Sequence, residues 1–190
     1  MGFLLLFRYP DDQFDRIWVP FEQSSSAKAS THNVSVYGFW NLPPAKIFET
    51  HIGSEQLESL ELRWPTALLP SSKYYIALYF ADNTVGSRVF NISVNGITYY
   101  HNLIVIPSGT VVFASQWPLS GPTTITLTPV ASSTRGPLIN AGEVFYLLPL
   151  KGRTSTRDGI AFDFMFFFLN SGSFLKRLTL FLRQQENTSF

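Results

Sequence analysis

The chain has no cysteine in its 190 residues, which removes disulfide frameworks, thiolate-bound zinc, iron–sulfur clusters and thiol catalysis. Charge is also scarce. Charged residues make up 14%, against roughly a quarter in an ordinary domain, and Lys+Arg 14 against Asp+Glu 13 leaves a formal charge of +1. That balance gives no electrostatic basis for a nucleic acid or an anionic surface as partner. No stretch reaches the ~20 apolar residues of a spanning helix. The apolar run at the N-terminus, Phe3 to Phe7, falls short of the roughly 7–15 residues of a signal-peptide core, so residues 1–8 read as a truncated or non-native leader, with neither export signal nor membrane anchor. Gly-x-Ser-x-Gly elbows, phosphate-binding loops and dinucleotide fingerprints are missing too. The three histidines, His32, His51 and His101, have no metal-ligand spacing and are expected at solvated or edge positions. No cofactor, metal site or enzymatic activity is expected.

What the chain does have is 45% hydrophobic residues, 16% aromatics including 18 Phe, and 12 each of Gly and Pro, a mixture suited to short strands and tight turns. After a small polar stretch at 24–31, strand patterns recur. Residues 57–64 place Leu60, Leu62 and Trp64 on one face, with Glu61 and Arg63 on the other. Residues 74–81 are apolar on both faces, as in a central strand. Residues 88–94 run into Asn95-Gly96, a two-residue hairpin signal, and 97–106 should return antiparallel with an irregularity at His101-Asn102. Further strands are expected at 110–116, 123–129 and 143–150, with the Pro118-Leu-Ser-Gly-Pro122 segment as a turn. Phe80, Phe90, Ile92 and Val144 are expected in the core. The pattern specifies an all-β fold: a two-sheet antiparallel β-sandwich of jelly-roll type.

Composition changes after Asp158. Residues 159–169 suit a buried strand, a helix or a membrane-facing segment equally well, while Asp163, Lys176 and Arg177 would each cost roughly 2.5–3.5 kcal/mol in lipid. The domain is therefore drawn over residues 9–158. The Phe-rich tail, 159–190, stands outside it as an artefact of the gene boundary or as an extra element on a sandwich edge. Asp11, Asp12 and Asp15 either shape a turn by pairing with Arg16 or offer oxygens to Ca²⁺. Asn-x-Ser/Thr triplets at Asn33, Asn91 and Asn187 are acceptor sequences for glycosylation in an exported chain; Asn33 and Asn91 are the expected sites. Tyr99, Tyr100, His101 and Asn102 form an aromatic and amide cluster able to stack on sugar rings, with Trp40-Asn41 and Trp117 as further candidates.

Five strings carry a family resemblance: Tyr9 to Trp18, Trp40-Asn41-Leu42-Pro43-Pro44-Ala45, Tyr75 to Asp82, Arg88 to Gly96, and Leu138 to Val144. In this order they resemble the malectin-like domain, a carbohydrate-binding-type module found outside the membrane in plant leucine-rich repeat receptor-like kinases. The segment is similar to the second of two such lobes, which makes the chain a fragment. The resemblance implies a β-sandwich on the extracellular face of the plasma membrane, in a membrane-bound signalling glycoprotein. Its partners would be a cell-wall carbohydrate, a peptide or protein ligand, and a partner receptor or sister malectin lobe. It also places ligand contacts in the loop after the strand end, at Asp82 and Asn83; with Tyr99, Tyr100 and Asn102 these are the candidate ligand residues. That loop has no aromatic residue, and the later segment 131–137 has no Asp or Glu. The expected role is a non-catalytic recognition module; the alternative is a purely structural spacer lobe or a truncated, non-functional product.

Overall fold

The computed structural model describes residues 7–19, 21, 28–30, 34–65, 68–149 and 160–162. Its strands are β1 (Phe7–Arg8), β2 (Ile17–Trp18), β3 (Lys28–Ala29), β4 (Thr50–Gly53), β5 (Leu60–Arg63), β6 (Leu69–Phe80) and β7 (Val89–Val94), followed by β8 (Ile97–Ile104), β9 (Thr110–Gly121), β10 (Thr124–Pro129), β11 (Leu138–Ile139), β12 (Ala141–Pro149) and β13 (Ile160–Phe162). Two four-stranded antiparallel sheets, ordered β5-β10-β7-β8 and β13-β12-β6-β9, form the sandwich. A three-stranded sheet β11-β4-β3 and a β1-β2 ribbon complete it. Helical structure among the described residues is limited to single 3-10 turns at Val36–Gly38 and Ala45–Phe48. The ribbon includes Phe7 and Arg8, from the segment read as leader, and β13 pairs with β12 two residues past the boundary drawn at 158. The rest of the tail lies outside the described residues.

Period-two alternation builds the main core. Tyr74, Ile76, Leu78 and Phe80 of β6 meet Phe90, Ile92 and Val94 of β7, Ile125 and Leu127 of β10, and Leu62 of β5, all fully buried. Phe80 and Phe90 touch across the sandwich, edge to face, with ring centroids 5.5 Å apart. Val144 is only partly buried at the margin of this core. Asn95 (φ 51°) and Gly96 (φ 74°) form the β7–β8 turn, where both central residues must be left-handed. Asn102 (φ 51°) marks the irregularity in β8: one residue of β7, Asn91, faces two of β8 between the pairs Phe90↔Leu103 and Ile92↔Tyr100.

Residues 118–121 are strand, not turn. β9 continues through Pro118 and Leu119, paired with Lys73 and Ser72, to Gly121. β9 is the edge of its sheet, and Pro118 is tolerated there because an edge residue facing outward needs no ladder N–H.

The opposite face of β6 carries a second core. Tyr75, Ala77, Tyr79 and Ala81, with Ala141, Phe145 and Leu147 of β12, are covered by Val34, Phe39, Ile47 and Phe48 from the segment before β4. Both faces of β6 are thus buried, as its sequence requires. Within this second core lies a buried ionic cluster. Arg16 gives Nε to both oxygens of Asp12 at 3.0 Å, Nη1 to Glu143 at 2.5 Å and Nη2 to the Leu42 carbonyl at 2.8 Å. The Tyr79 hydroxyl donates to Glu143 at 2.7 Å, the Trp18 indole N–H donates to Asp12 at 2.8 Å, and the Asn41 amide donates to the Tyr79 hydroxyl. Arg16 also stands 5.2 Å from the ring centroids of both Phe14 and Trp18. Burial pushes the Glu143 carboxyl and the Tyr79 hydroxyl up, with Arg16 opposing it at Glu143. Asp12 also accepts the Phe14 backbone N–H, so this carboxylate shapes the turn and pairs with Arg16.

His51 departs from the expected solvated position. It is 8% exposed on β4, flanked by β3 and β11, with Nδ1 2.6 Å from the Ser30 hydroxyl. Burial, reinforced by the nearby Arg88 charge, lowers its pKa and favours the neutral ring. His101 is exposed on β8, and His32 lies outside the described residues.

Candidate recognition site

One end of the sandwich gathers the loops 53–56, 82–87 and 131–137. β6 delivers Asp82 to this end, where its carboxylate accepts the Thr84 backbone N–H at 3.0 Å, the Thr84 hydroxyl at 2.6 Å and the Arg88 Nε. Arg88, itself 3% exposed, also donates Nη1 to the carbonyls of Ser54 (3.0 Å) and Gly136. Arg135 forks onto Glu55 through Nε (3.1 Å) and Nη2, and Lys28 reaches the same carboxylate at 3.4 Å. Ser87 and Thr134 lock the two long loops together. The Ser87 N–H donates to the Thr134 hydroxyl at 2.7 Å, and the Thr134 N–H returns to the Ser87 carbonyl at 2.9 Å. Gly136 is required by close approach, since a Cβ there would lie 1.9 Å from the Gln56 carbonyl oxygen. The polar groups of this end are thus largely directed at one another.

Electrostatics follow from these partners. Hydrogen bonds from Arg135 lead in holding Glu55 down at about 2. At Asp82 burial pushes upward, but bonds from Thr84 and Arg88 outweigh it and leave the carboxyl at about 2. A carboxyl depressed in the folded state stabilises it above the unfolded pKa near 3.8, and that contribution is lost as pH falls through about 2. For Asp82, 92% shielded from solvent, the shift amounts to about 2 kcal/mol. The stability gap between wild type and Asp82→Asn should therefore narrow by about that amount between pH 5 and pH 2 in urea titrations. A gap independent of pH would show that Arg88 does not depend on this charge.

The aromatic cluster predicted on β8 divides. Tyr99 turns inward: its hydroxyl donates to the Ile76 carbonyl at 2.9 Å and its ring meets Trp117 edge to face at 4.9 Å, bridging the two sheets. Tyr100 (45% exposed), His101 and Asn102 remain at the surface. Asp82 is buried, whereas Asn83 is exposed at the loop end. Asp82 and Asn83 lie at the end formed by the three loops, apart from the β8 residues. Asn41 is buried in the ionic cluster, yet its neighbour Trp40 is 59% exposed.

Sequence reasoning partly missed an aromatic surface around Trp40. The Trp40 ring stands edge-on to Tyr75 at 5.7 Å and 5.3 Å from Phe113, which is itself 51% exposed on edge strand β9. Phe145 stacks on Tyr75 at 5.7 Å. Tyr37, 89% exposed, lines an open cleft of about 440 Å³ with Asp11, Gln13, Val36 and Leu42. The strand register could have signalled Phe113, because Phe113 pairs with Ala77 and so belongs to the outer face of β6. No periodicity pointed to Trp40 or Tyr37. Among the described residues, no three His, Cys, Asp or Glu side chains converge to hold a metal ion.

These features define a β-sandwich whose loop end is closed by ion pairs and whose exposed rings Trp40 and Phe113 pack beside Tyr75 on the outer face of β6. Residues 3–147 match the family model "Malectin-like domain", and the chain belongs to that family. It is 28% identical over 163 residues to a probable LRR receptor-like protein kinase of Arabidopsis thaliana, a match covering 81% of this chain and 18% of that protein. The chain thus spans about a fifth of that relative's length. Its fold is similar to the ANX2 ectodomain of Arabidopsis thaliana, with TM-score 0.57 and 13% identity over 75% of this chain and 47% of that one. It is also similar to a chain in the structure of plant peptide RALF23 in complex with FER and LLG2, with TM-score 0.54 and 15% identity over 72% of this chain and 44% of that one. No helix among the described residues is long and apolar enough to cross a membrane.

Proposed function

We propose that this chain is a non-catalytic recognition module acting outside the membrane, and that its ligand is a peptide or protein. The observation that carries this reading is the division of labour between the two regions. The loops 82–87 and 131–137 have no aromatic ring and direct their polar groups at each other, while Trp40, Phe113 and Tyr37 present exposed rings elsewhere. A sugar site at the loop end would need a ring backed by amides and carboxylates aimed outward, which these loops do not supply; a protein contact needs large exposed aromatic anchors, which dominate interface energetics. That a similar fold occurs in a complex with the peptide RALF23 supports the same reading. Of the residues singled out in the sequence, Tyr100, Asn102 and Asn83 are accessible to a ligand; Asp82 and Tyr99 act by holding the loop end and the β8 edge in place.

A glycan array and calorimetry with gluco-oligosaccharides should give no specific signal for the folded chain. A displayed peptide library should yield binders that lose at least ~2 kcal/mol of affinity with Trp40→Ala plus Phe113→Ala, at a nearly unchanged melting temperature. Saturable oligosaccharide binding that survives this double substitution would overturn the proposal and direct attention to Tyr100 and Asn102.

A further inference from the structure

We infer that Asn91 is an N-glycosylation acceptor, and that the outer face of the β5-β10-β7-β8 sheet carries its glycan. The inference rests on the extracellular reading above, and four observations support the site itself. Asn91-Ile92-Ser93 is an acceptor triplet with no proline at its middle position. The strand period buries Ile92 completely and turns Asn91 and Ser93 outward together, so both recognition residues share the solvent face. On the β5 and β10 side that face is polar: Glu61 and Arg63 of β5 and Thr126 and Thr128 of β10 lie on it, and exposed Thr128 is the register partner of Asn91. On the other side the β8 bulge sets exposed His101 and Asn102 opposite half-buried Asn91.

The bulge also orients the amide. The Asn102 backbone N–H donates to Asn91 Oδ1 at 2.9 Å, which turns the side chain so that Nδ2, the atom that would carry the sugar, points away from this bond. Among the described residues nothing accepts a hydrogen bond from Nδ2. Glycosylation joins Nδ2 to the anomeric carbon of an oligosaccharide supplied on a lipid diphosphate. The carbon–oxygen bond to the diphosphate breaks, Nδ2 gives up one proton, and the lipid diphosphate leaves. The amide oxygen is untouched, so the modified residue keeps its bond to Asn102. A glycan here occupies one broad face of the sandwich and leaves the Trp40 and Phe113 side for protein contact.

The test is to secrete the full chain from a eukaryotic host behind an added signal peptide, then map the Asn91 peptide by mass spectrometry before and after enzymatic deglycosylation. The expected result is an Asn91 peptide seen only after deglycosylation, with Asn91 read as Asp. Ser93→Ala should abolish this modification while keeping the Asn91 amide and its bond from the Asn102 N–H, so it isolates the loss of the glycan from the loss of the bond. Asn91→Gln removes glycan and bond together and should melt lower than Ser93→Ala. Folded, secreted protein whose Asn91 peptide is unmodified would overturn the assignment, and would leave the ligand-binding test above unaffected.

Discussion

Arg16→Ala should lower folding stability by about 3–5 kcal/mol, the cost of leaving buried charge without its partner. The side chains involved have almost no contact with water: Arg16 is 3% exposed, Asp12 0% and Glu143 4%. Removing the guanidinium strands two carboxylates in the second core and frees the Leu42 carbonyl as well. Arg16→Lys should recover less than half of the loss, because one ammonium cannot reproduce a fork serving Asp12, Glu143 and Leu42 from three different nitrogens. The pH dependence provides a second check. Burial already raises the Glu143 pKa, and without Arg16 the carboxyl rises further, so it is neutralised earlier on acidification. A carboxyl raised in the folded state costs stability when ionised, so the Arg16→Ala deficit should be largest near neutrality and shrink as pH falls through the range where Glu143 takes up its proton. A loss under 1 kcal/mol in urea unfolding at pH 7 would show that water reaches the cluster.

Phe90→Ala should cost on the order of 3–5 kcal/mol for a different reason. Phe90 is fully buried between the sheets, with Phe80 at 5.5 Å on one side and Leu103 and Pro129 as strand partners. Its neighbours belong to two hydrogen-bonded sheets that cannot collapse into the space, so the lost transfer energy is joined by a cavity term. The urea midpoint should fall with little change in slope, since the surface exposed on unfolding is nearly the same. An unchanged midpoint would remove Phe90 from the inter-sheet core.

The two changes probe parts of the molecule that differ in how far they can be read from sequence. The environment of Phe90 is legible because alternation is local: Phe90, Ile92 and Val94 on one side of β7 and Asn91 and Ser93 on the other specify strand, face and burial within six residues. The same holds for β6, whose two apolar faces required covers on both sides. The second core is not legible in this way. Residues 34–48 have no helical or strand period, and they are ordered by packing on the outer face of β6. Pro118 and Gly121 read as turn residues because the edge position that tolerates them is a property of the sheet, not of the segment.

The candidate site follows the same division. That Asp82 and Asn83 sit at a strand end was legible; that Asp82 is committed to Arg88, and that Arg135 closes on Glu55 from 80 positions away, was not. Tyr99 and Tyr100 look equivalent in composition, yet one bridges the sheets and the other faces solvent, because adjacent strand residues point to opposite faces and only the assembled sheets decide which face is covered.

By itself, then, the sequence determined the seven main strands β5 to β10 and β12, the sandwich they form, the main hydrophobic core and the malectin-like family, since these depend on periods and short strings contained within single segments. The tertiary structure alone decided which polar residues are buried, which loops close on each other and which rings remain exposed. Those outcomes depend on partners such as Arg16 and Glu143, which lie 127 positions apart in the chain and meet only when the sheets assemble.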